Sequence, residues 1–386
     1  MEIRYFDNAA TSWPKPPEVM QAMVAFDRSV GASPGRSGHR LSIDAGRTLM
    51  ETRDLLARMF SIKDSLRIAF TKNATEGLNI AAFGLLKPGD HVIVSSMEHN
   101  SLMRPLRLLE RRGVEISVVP CSPSGEIDPG DAVPLIRKNT RAFFFTHASN
   151  VTGSIMPVAE LGKIAREREI VFCVDAAQTA GAVPIDAEAM NIDILAFTGH
   201  KSLYGPQGTG GIYVREGIDD EMEYYMLGGT GSRSEYEEQP DFMPDRFESG
   251  TPNAIGIAGL GAGVKFLLGK GIESVSKHEL RLTRECINGL SGIDGVTVYG
   301  PKADDRRTSV VSFNVNGMSP SDVSMALDEE YRIMSRPGLH CAPSAHRTAG
   351  TMPEGTVRFS FGYFNTLEEV RSAVRAVEKI ARGDVE

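Results

Sequence analysis

Short runs of β-branched and aromatic residues alternate with longer helical patterns between residues 67 and 197 of this 386-residue chain. The runs predict strands at 67–71, 91–95, 115–119, 141–145, 170–174 and 192–197. The helical patterns lie between them, at 76–86, 102–112, 158–168 and 177–182. This alternation favours a parallel sheet with helices on both faces. The unbroken apolar runs FFF and IVFCV indicate strands that are buried on both sides.

The pattern changes after Gly250. A glycine-bearing helical run at 252–268 leads to predicted strands at 296–299, 309–315 and 357–361, and to helices at 319–330 and from Thr366 onward. Thr366 and Glu369 have the spacing of a capping box, which marks the start of a helix. The sequence therefore predicts an α/β fold with two domains. Residues 15–264 would form a large domain with a mostly parallel sheet flanked by helices, and residues 1–14 and 265–386 a smaller α+β domain.

Composition narrows the class of protein. The formal net charge is −8, so the broad basic face that nucleic-acid binding needs is not expected. The four cysteines are far apart and form no CxxC motif, which favours a reducing, cytoplasmic setting. The first residues lack the pattern of a secretory signal, and the apolar run at 254–264 is too short to span a bilayer, so no membrane partner is expected.

Polar side chains follow five of the predicted strands directly. The five stretches are KNATEG at 72–77, MEHN at 97–100, THASN at 146–150, DAAQ at 175–178 and TGHK at 198–201. A single histidine or aspartate after a strand is typical of a loop contact or a helix cap. Because ligands of open α/β sheets bind beyond the carboxyl ends of the strands, all five together predict one site at one rim.

The residue types at this rim indicate a particular chemistry. Lysine amines form Schiff bases with carbonyl groups, which makes Lys201 a candidate nucleophile. Pyridoxal phosphate needs such a lysine and a carboxylate beside its ring nitrogen, and Asp175 precedes Lys201 by one crossover and one strand. A helix start can supply amides to a phosphate, and Thr75, Thr198 and His200 can add side-chain donors. The sequence thus predicts pyridoxal phosphate as the cofactor.

Other cofactors fit the sequence less well. The stretch GHKS at 199–202 is similar to the end of a P-loop, but the first glycine and its spacer are missing. No GxGxxG motif follows an early strand, and no histidine, cysteine and aspartate cluster has zinc-like spacing. We therefore expect neither a nucleotide nor a metal.

With these residues in view, the chain resembles the class V, fold-type I pyridoxal-phosphate enzymes. Within them it is most similar to the cysteine desulfurase and selenocysteine lyase group. The resemblance covers nearly the whole chain and is carried by these motifs: YFDNAAT at 5–11, NATEGLN at 73–79, EHNS at 98–101, HASNVTG at 147–153, VDAAQ at 174–178, TGHKSLYGPQGTG at 198–210, ESGTPN at 248–253, RPGLHCAP at 336–343 and RFSFGYFNT at 358–366.

The resemblance implies a role for each matching position. Lys201 would hold the cofactor covalently and move the proton of the substrate Cα, Asp175 would pair with the ring nitrogen, and His99 would stack on the ring and assist proton transfer. Further cofactor contacts are implied for Gln178, Ala74, Thr75, Thr198, His200 and, across a homodimer, Thr251 of the partner subunit. Substrate contacts are implied for Asn8, Ala9, Asn150 and Arg358. Ala74 departs from the family, since many relatives have a second hydroxyl there.

Cys341 decides which member of the group the chain resembles. It lies in a loop rich in Gly and Pro, with Arg336, His340, His346 and Arg347 close in sequence. Positive neighbours and partial exposure favour a reactive thiolate, whereas the other three cysteines are expected to be small buried hydrophobes. The resemblance then implies a cysteine desulfurase that converts L-cysteine to L-alanine, with the sulfur captured as a persulfide on Cys341 and passed to an acceptor protein or a reductant.

Three alternatives remain open from the sequence. The substrate could be selenocysteine or another β-substituted amino acid. The chain could be a β-lyase or aminotransferase of the same fold in which Cys341 is incidental. It could also be a non-catalytic scaffold that binds sulfur-transfer partners, although an intact set of Lys201, Asp175 and His99 argues against that interpretation.

Overall fold

The computed structural model of the protein describes residues 3–35, 38–302 and 306–384. Its strands are β1 (Arg4–Tyr5), β2 (Ile68–Thr71), β3 (His91–Ser95), β4 (Glu115–Val119), β5 (Thr140–Thr146), β6 (Val171–Asp175), β7 (Ile194–Thr198), β8 (Gly210–Val214), β9 (Val296–Tyr299), β10 (Val310–Val315), β11 (Ile333–Met334), β12 (Arg336–Gly338) and β13 (Thr356–Ser360). Its helices are α1 (Pro17–Ser29), α2 (Arg40–Met59), α3 (Ala74–Leu85), α4 (Asn100–Glu110), α5 (Val158–Arg166), α6 (Ala254–Lys270), α7 (Ile272–Ser291), α8 (Pro320–Tyr331), α9 (Pro343–Thr348) and α10 (Leu367–Arg382).

The larger sheet has seven strands in the order β2-β8-β7-β6-β5-β3-β4. Strands β3 to β7 pair in parallel, and β8 is antiparallel to both of its neighbours. Along β5 the buried side chains alternate: Phe143 and Phe145 enter one hydrophobic core, and Ala142 and Phe144 enter a second. The sheet is therefore covered on both faces. The predicted α/β class with a mostly parallel sheet is confirmed.

Several elements were not expected from the sequence. The strand β8 begins with two glycines and was not predicted, and neither were the long helices α1, α2 and α7. Residues 177–182, predicted as a helix, form turns instead. Gly181 has a φ of 90° there, which is a left-handed backbone conformation that a helix cannot contain.

The second sheet has four antiparallel strands in the order β12-β13-β10-β9. Its core includes Phe313, Phe359 and residues of α7, α8 and α10, and Phe6 near the amino end packs into it as well. The short strand β1 pairs in parallel with β11. The predicted domain boundary at 264/265 falls inside α6, and the division into two domains stays a prediction.

Within the described ranges, no single helix is both long and apolar enough to cross a bilayer. Only α6 and α7 taken together reach that length and composition, and they meet at an angle of 83°.

Candidate active site

One cavity of about 270 Å³ lies at the carboxyl ends of the parallel strands. It draws side chains from all five polar stretches that follow these strands, and from the loop that carries Cys341. Its lining residues are Asn73, Ala74, Thr75, His99, Ser101, Thr146, Ala148, Asn150, Asp175, Ala177, Gln178, Thr198, His200, Lys201, Arg336 and Cys341. The volume is close to the lower end of the roughly 300–1,000 Å³ that is usual for small-molecule sites.

Lys201 and Asp175 bring opposite charges to this cavity. Asp175 is the last residue of β6 and Lys201 follows β7, which pairs with β6 in parallel. Burial lowers the pKa of Lys201 to about 8, against the opposing charge of Asp175. Burial raises the pKa of Asp175, and the amide of Ala177, which donates to its carboxylate at 2.9 Å, opposes that rise. The lysine is thus an amine that can lose its proton near neutral pH.

The start of α3 forms one end of the cavity. Asn73 caps the helix by accepting the amide of Glu76 at 3.0 Å. The amides of Ala74 and Thr75, in the first helical turn, have no acceptor within the helix. The positive end of the helix dipole and these free donors suit an anion.

Two buried polar atoms beside this helix start lack a hydrogen-bond partner within the described part of the chain. They are Oγ1 of Thr198 and Nδ1 of His200. Buried polar groups are nearly always paired, so unpaired ones indicate a missing ligand. A phosphate group would satisfy both atoms together with the amides of Ala74 and Thr75. The residues present therefore fit a phosphorylated cofactor at this end of the cavity.

His99 caps α4 and lies on the same cavity. Its Nδ1 accepts the amide of Ser101 at 3.0 Å. Burial, together with the positive charge of Lys201, lowers the pKa of His99 to about 4. The ring is therefore neutral at physiological pH and carries its proton on Nε2. A flat, neutral ring of this kind can stack on a planar cofactor.

The amino-terminal segment reaches the site through Gln178. Its Nε2 donates to the backbone oxygen of Ala9 at 3.2 Å. Ala9 and Asn8 are themselves fixed on β13, since the amide of Ala9 donates to Oγ of Ser360 and Nδ2 of Asn8 donates to the oxygen of Ser360. Neither Asn8 nor Ala9 is among the residues that line the cavity, and of the two only Ala9 contacts its wall, through Gln178.

The two arginines near the cavity have different surroundings. Arg358 is buried; it donates to Asp7 at 2.7 Å and to the backbone oxygen of Asn150 at 3.1 Å. Arg358 is not among the residues that line the cavity, whereas Arg336 is. From the sequence, Arg336 was expected only to be a positive charge near Cys341. A guanidinium on the wall makes Arg336 a further candidate for the substrate carboxylate, beside the predicted Arg358 and Asn150.

Cys341 is exposed at the mouth of the cavity. Its backbone oxygen accepts the amide of Asn100, the first residue of α4, at 2.9 Å. The two neighbouring histidines do not supply the positive charge expected from the sequence. Burial lowers the pKa of His340 to about 2 and that of His346 to about 4, so both rings are neutral. Of the four residues close to Cys341 in sequence, Arg336 and Arg347 remain as cations, and only Arg336 of the two lines the cavity with Cys341.

Thr251 does not lie on this cavity. It lines a separate cavity of about 170 Å³ together with Lys72, Glu76 and Gly250. Within one chain it is therefore apart from the other predicted cofactor contacts. Its action on the site of a partner subunit stays a prediction.

Glu98 is a buried residue next to the site, and the sequence did not predict a role for it. It is buried and accepts the amide of Thr146, at the end of β5, at 3.0 Å. Burial raises the pKa of Glu98 to about 8. The residue links the ends of β3 and β5, which carry His99 and Asn150. Its position directly before His99 was the only signal in the sequence.

Fold and cavity together define an α/β enzyme whose active site lies at the carboxyl edge of a mostly parallel sheet. The family model described as Aminotransferase class-V matches residues 4–372, and the chain belongs to that family. No group of three or more histidine, cysteine, aspartate or glutamate residues within the described ranges could hold a metal ion.

Three similar proteins are named cysteine desulfurase. A protein named "Probable cysteine desulfurase" from Methanothermobacter thermautotrophicus is 38% identical over 98% of this chain and 94% of its own length. The apo structure of cysteine desulfurase from Thermococcus onnurineus NA1 has a TM-score of 0.93 and 36% identity, over 99% of this chain and 95% of that one. The cysteine desulfurase CsdA (S-sulfonic acid) from Escherichia coli has a TM-score of 0.88 and 28% identity, with the same coverage. The family predicted from the motifs is confirmed.

Proposed function

We propose that the protein is a pyridoxal-phosphate-dependent cysteine desulfurase that converts L-cysteine to L-alanine and keeps the sulfur on Cys341. The observation that carries this proposal is that Lys201, Asp175 and Cys341 line one cavity. The names of the relatives support the same activity.

The cavity suits the cofactor at both ends. Lys201 would hold it covalently, and Asp175 would face the ring nitrogen. Thr198 and His200, each with a buried polar atom that lacks a partner within the described residues, and the first amides of α3 would hold its phosphate. When bound, this cofactor supplies an electron sink that stabilises negative charge at the substrate Cα.

Lys201 is the group suited to move the Cα proton. With a pKa of about 8, a useful fraction of its amine is unprotonated near neutral pH. Released from the cofactor by the incoming amino acid, the amine can accept the proton and return it later. Its position after β7, beside Asp175, fixes this amine at the cavity edge.

Cys341 would receive the sulfur. Its thiolate attacks the substrate sulfur, an S–S bond forms, and the Cβ–S bond of the substrate breaks. The electron pair of the broken bond stays with the carbon skeleton and is finally taken up as a C–H bond. The balance is one cysteine plus one enzyme thiol to one alanine plus one enzyme persulfide, and no external oxidant is needed.

Arg336 and Asn150 would orient the amino-acid carboxylate, since both line the cavity. Arg358, expected from the family to make this contact, donates to the backbone of Asn150 and to Asp7, and its buried Nε has no partner within the described residues, so it stays a second candidate for the carboxylate. A guanidinium fork and an amide donor match the geometry of a carboxylate.

The test is the Cys341→Ser variant, assayed for alanine from L-cysteine in the presence of a thiol reductant. We expect alanine formation to fall by more than about 10²-fold, while the visible absorbance of the bound cofactor is unchanged. Cys121→Ser, which removes a less exposed thiol, is the matched control and should keep full activity. Retained alanine formation in Cys341→Ser would contradict the persulfide role of Cys341, and formation of pyruvate in place of alanine would identify a β-lyase. Selenocysteine in the same assay tests the alternative substrate.

We further infer that the protein acts as a homodimer. The segment before Thr251 exposes an apolar group of residues, Tyr225, Met226 and Leu227, and Leu227 is 67% exposed. The partner that we infer is a second copy of this chain, because Thr251 does not line the candidate active site of its own chain. Leu227→Arg should therefore give monomers by light scattering and lose cofactor. Met325→Arg, at a site that is 55% exposed on α8, is the control and should remain dimeric.

A protein or small thiol would take the sulfur from Cys341, which is the exposed one of the four free cysteines. Free thiols of this kind persist in a reducing compartment, and we therefore place the protein in the cytoplasm.

A further inference from the structure

The turn that presents Cys341 has an unusual backbone. His340 has a φ of 49° and Cys341 a φ of 59°, so two successive residues with side chains adopt the left-handed conformation. This region is unfavourable for residues other than glycine, and it persists only where the surroundings hold it. The structure must therefore contain contacts that fix this turn.

The backbone oxygens on both sides of the turn are held by two other parts of the site. Nδ2 of Asn150 donates to the oxygen of His340 at 2.7 Å. The amide of Asn100 donates to the oxygen of Cys341 at 2.9 Å. These contacts fix the side of the turn that faces the cavity, and the opposite side needs a support of its own.

A chain of three hydrogen bonds provides that support. Oγ1 of Thr351 lies 2.7 Å from Nδ1 of His346, Nε2 of His346 lies 3.3 Å from Nδ1 of His340, and Nε2 of His340 lies 3.0 Å from the backbone oxygen of Arg336. Both rings are buried: His346 is 0% and His340 4% exposed. The chain of bonds joins Arg336, before the turn, to Thr351, after it.

Only one arrangement of protons satisfies all three bonds. The oxygen of Arg336 can only accept, so neutral His340 carries its proton on Nε2 and accepts at Nδ1. His346 must then donate from Nε2 and accept at Nδ1 from the hydroxyl of Thr351. A chain with a single direction resists rearrangement, because a flip of one ring breaks two bonds.

We propose that His340 and His346 are positioning residues that hold the left-handed turn, and so keep the sulfur of Cys341 at the mouth of the cavity. The effect on turnover rests on the proposed function, since it assumes that Cys341 attacks the substrate sulfur. The structural effect on the turn does not depend on that function.

The experiment compares three substitutions of His346 in the holoenzyme. His346→Leu removes the donor and the acceptor, His346→Asn keeps an acceptor near Thr351, and His346→Gln keeps a donor toward His340. His278→Leu is the matched control, because it removes one histidine-to-backbone hydrogen bond on α7, away from the turn. If His346→Leu fails to fold, Thr351→Val replaces it, since this change removes the first donor of the chain and leaves both histidines in place.

Two measurements decide the proposal. Hydrogen exchange of the peptide over residues 336–351 should accelerate by about tenfold or more in His346→Leu, less in His346→Gln, and not in His278→Leu. The kcat for alanine should fall about 10- to 100-fold with little change in KM, because the nucleophile is misplaced while substrate binding is kept. The pH profile of kcat should keep its shape, which separates positioning from acid–base catalysis.

Unchanged exchange and unchanged kcat in His346→Leu would overturn the proposal, and so would a shifted limb of the pH profile. A wild-type enzyme that forms no alanine would instead contradict the proposed function. In that case the exchange measurement would still decide whether the histidines hold the turn.

Discussion

Arg336 and Arg358 lie directly opposite each other on β12 and β13, yet only Arg336 of the two lines the cavity. Like charges at opposed positions of an antiparallel pair are destabilising. The carboxylate of Asp7 offsets this for Arg358 through an ion pair of 2.7 Å. The pairing supports the proposal that Arg336 is the guanidinium that an incoming anion meets.

The first prediction concerns the ion pair of Asp7. Replacing Asp7 with Asn leaves the buried guanidinium of Arg358 without its counter-charge, and should lower the free energy of unfolding by about 3–5 kcal/mol. Equilibrium urea unfolding at fixed protein concentration measures this. Asp241→Asn, which breaks an exposed pair with Arg233, is the control and should change it by less than about 1 kcal/mol. Equal small effects would contradict the assigned role of Asp7.

The second prediction separates the two arginines by kinetics. Arg336→Met should raise the KM for L-cysteine by about 10- to 100-fold, the value of a lost charge-assisted hydrogen bond. Arg336→Lys should recover only part of the loss, because an ammonium cannot make the paired contact of a guanidinium. Cofactor absorbance, measured on each variant, should be unchanged. An unchanged KM in Arg336→Met would return the carboxylate contact to Arg358.

The third prediction concerns how the free energy of unfolding depends on pH. Glu279 of α7 is buried beside Tyr204 and Ser309, and burial raises its pKa from 4.5 to about 8. Between these values the folded state binds a proton that the unfolded state releases. The free energy of unfolding should therefore fall as pH rises from 4.5 to 8, by up to about 1.4 kcal/mol per pH unit from this residue.

Glu279→Gln should remove that contribution and flatten the slope. The measurement is urea unfolding of both proteins at pH 5, 6 and 7, compared within each pH. Glu98, whose pKa is raised in the same way, stays in both proteins and cancels. Parallel slopes for the two proteins would show that Glu279 is already ionised in the folded state.

Much of the fold could be predicted because a strand that is buried on both faces appears in the sequence as an apolar run. The strand His91–Ser95 is buried at every position and agrees with its predicted ends, because it is a largely apolar run between polar turns. The strand Gly210–Val214 was missed for a physical reason. At its two glycines a Cβ would come within 2.8 Å of Asn73 or 2.4 Å of Phe197. Tertiary packing therefore requires glycine here, a residue type that in the sequence alone indicates a loop.

The site was predictable where it follows strand ends, and unpredictable where it depends on register or burial. Lys201, Asp175 and His99 come together because parallel strands end at one edge. The division between Arg336 and Arg358 depends on which residues pair across β12 and β13, a long-range relation without a local signal. The neutral state of His340 depends on burial, which its position next to Cys341 does not reveal.

The central claim, that Lys201 carries the cofactor, is tested most directly by borohydride reduction of the purified holoenzyme followed by peptide mass spectrometry. Reduction makes the link between amine and cofactor permanent. We predict one modified peptide, bearing a phosphopyridoxyl group on Lys201, and no comparable modification at Lys15 or Lys72. An unmodified Lys201 in protein that retains bound cofactor would contradict the account.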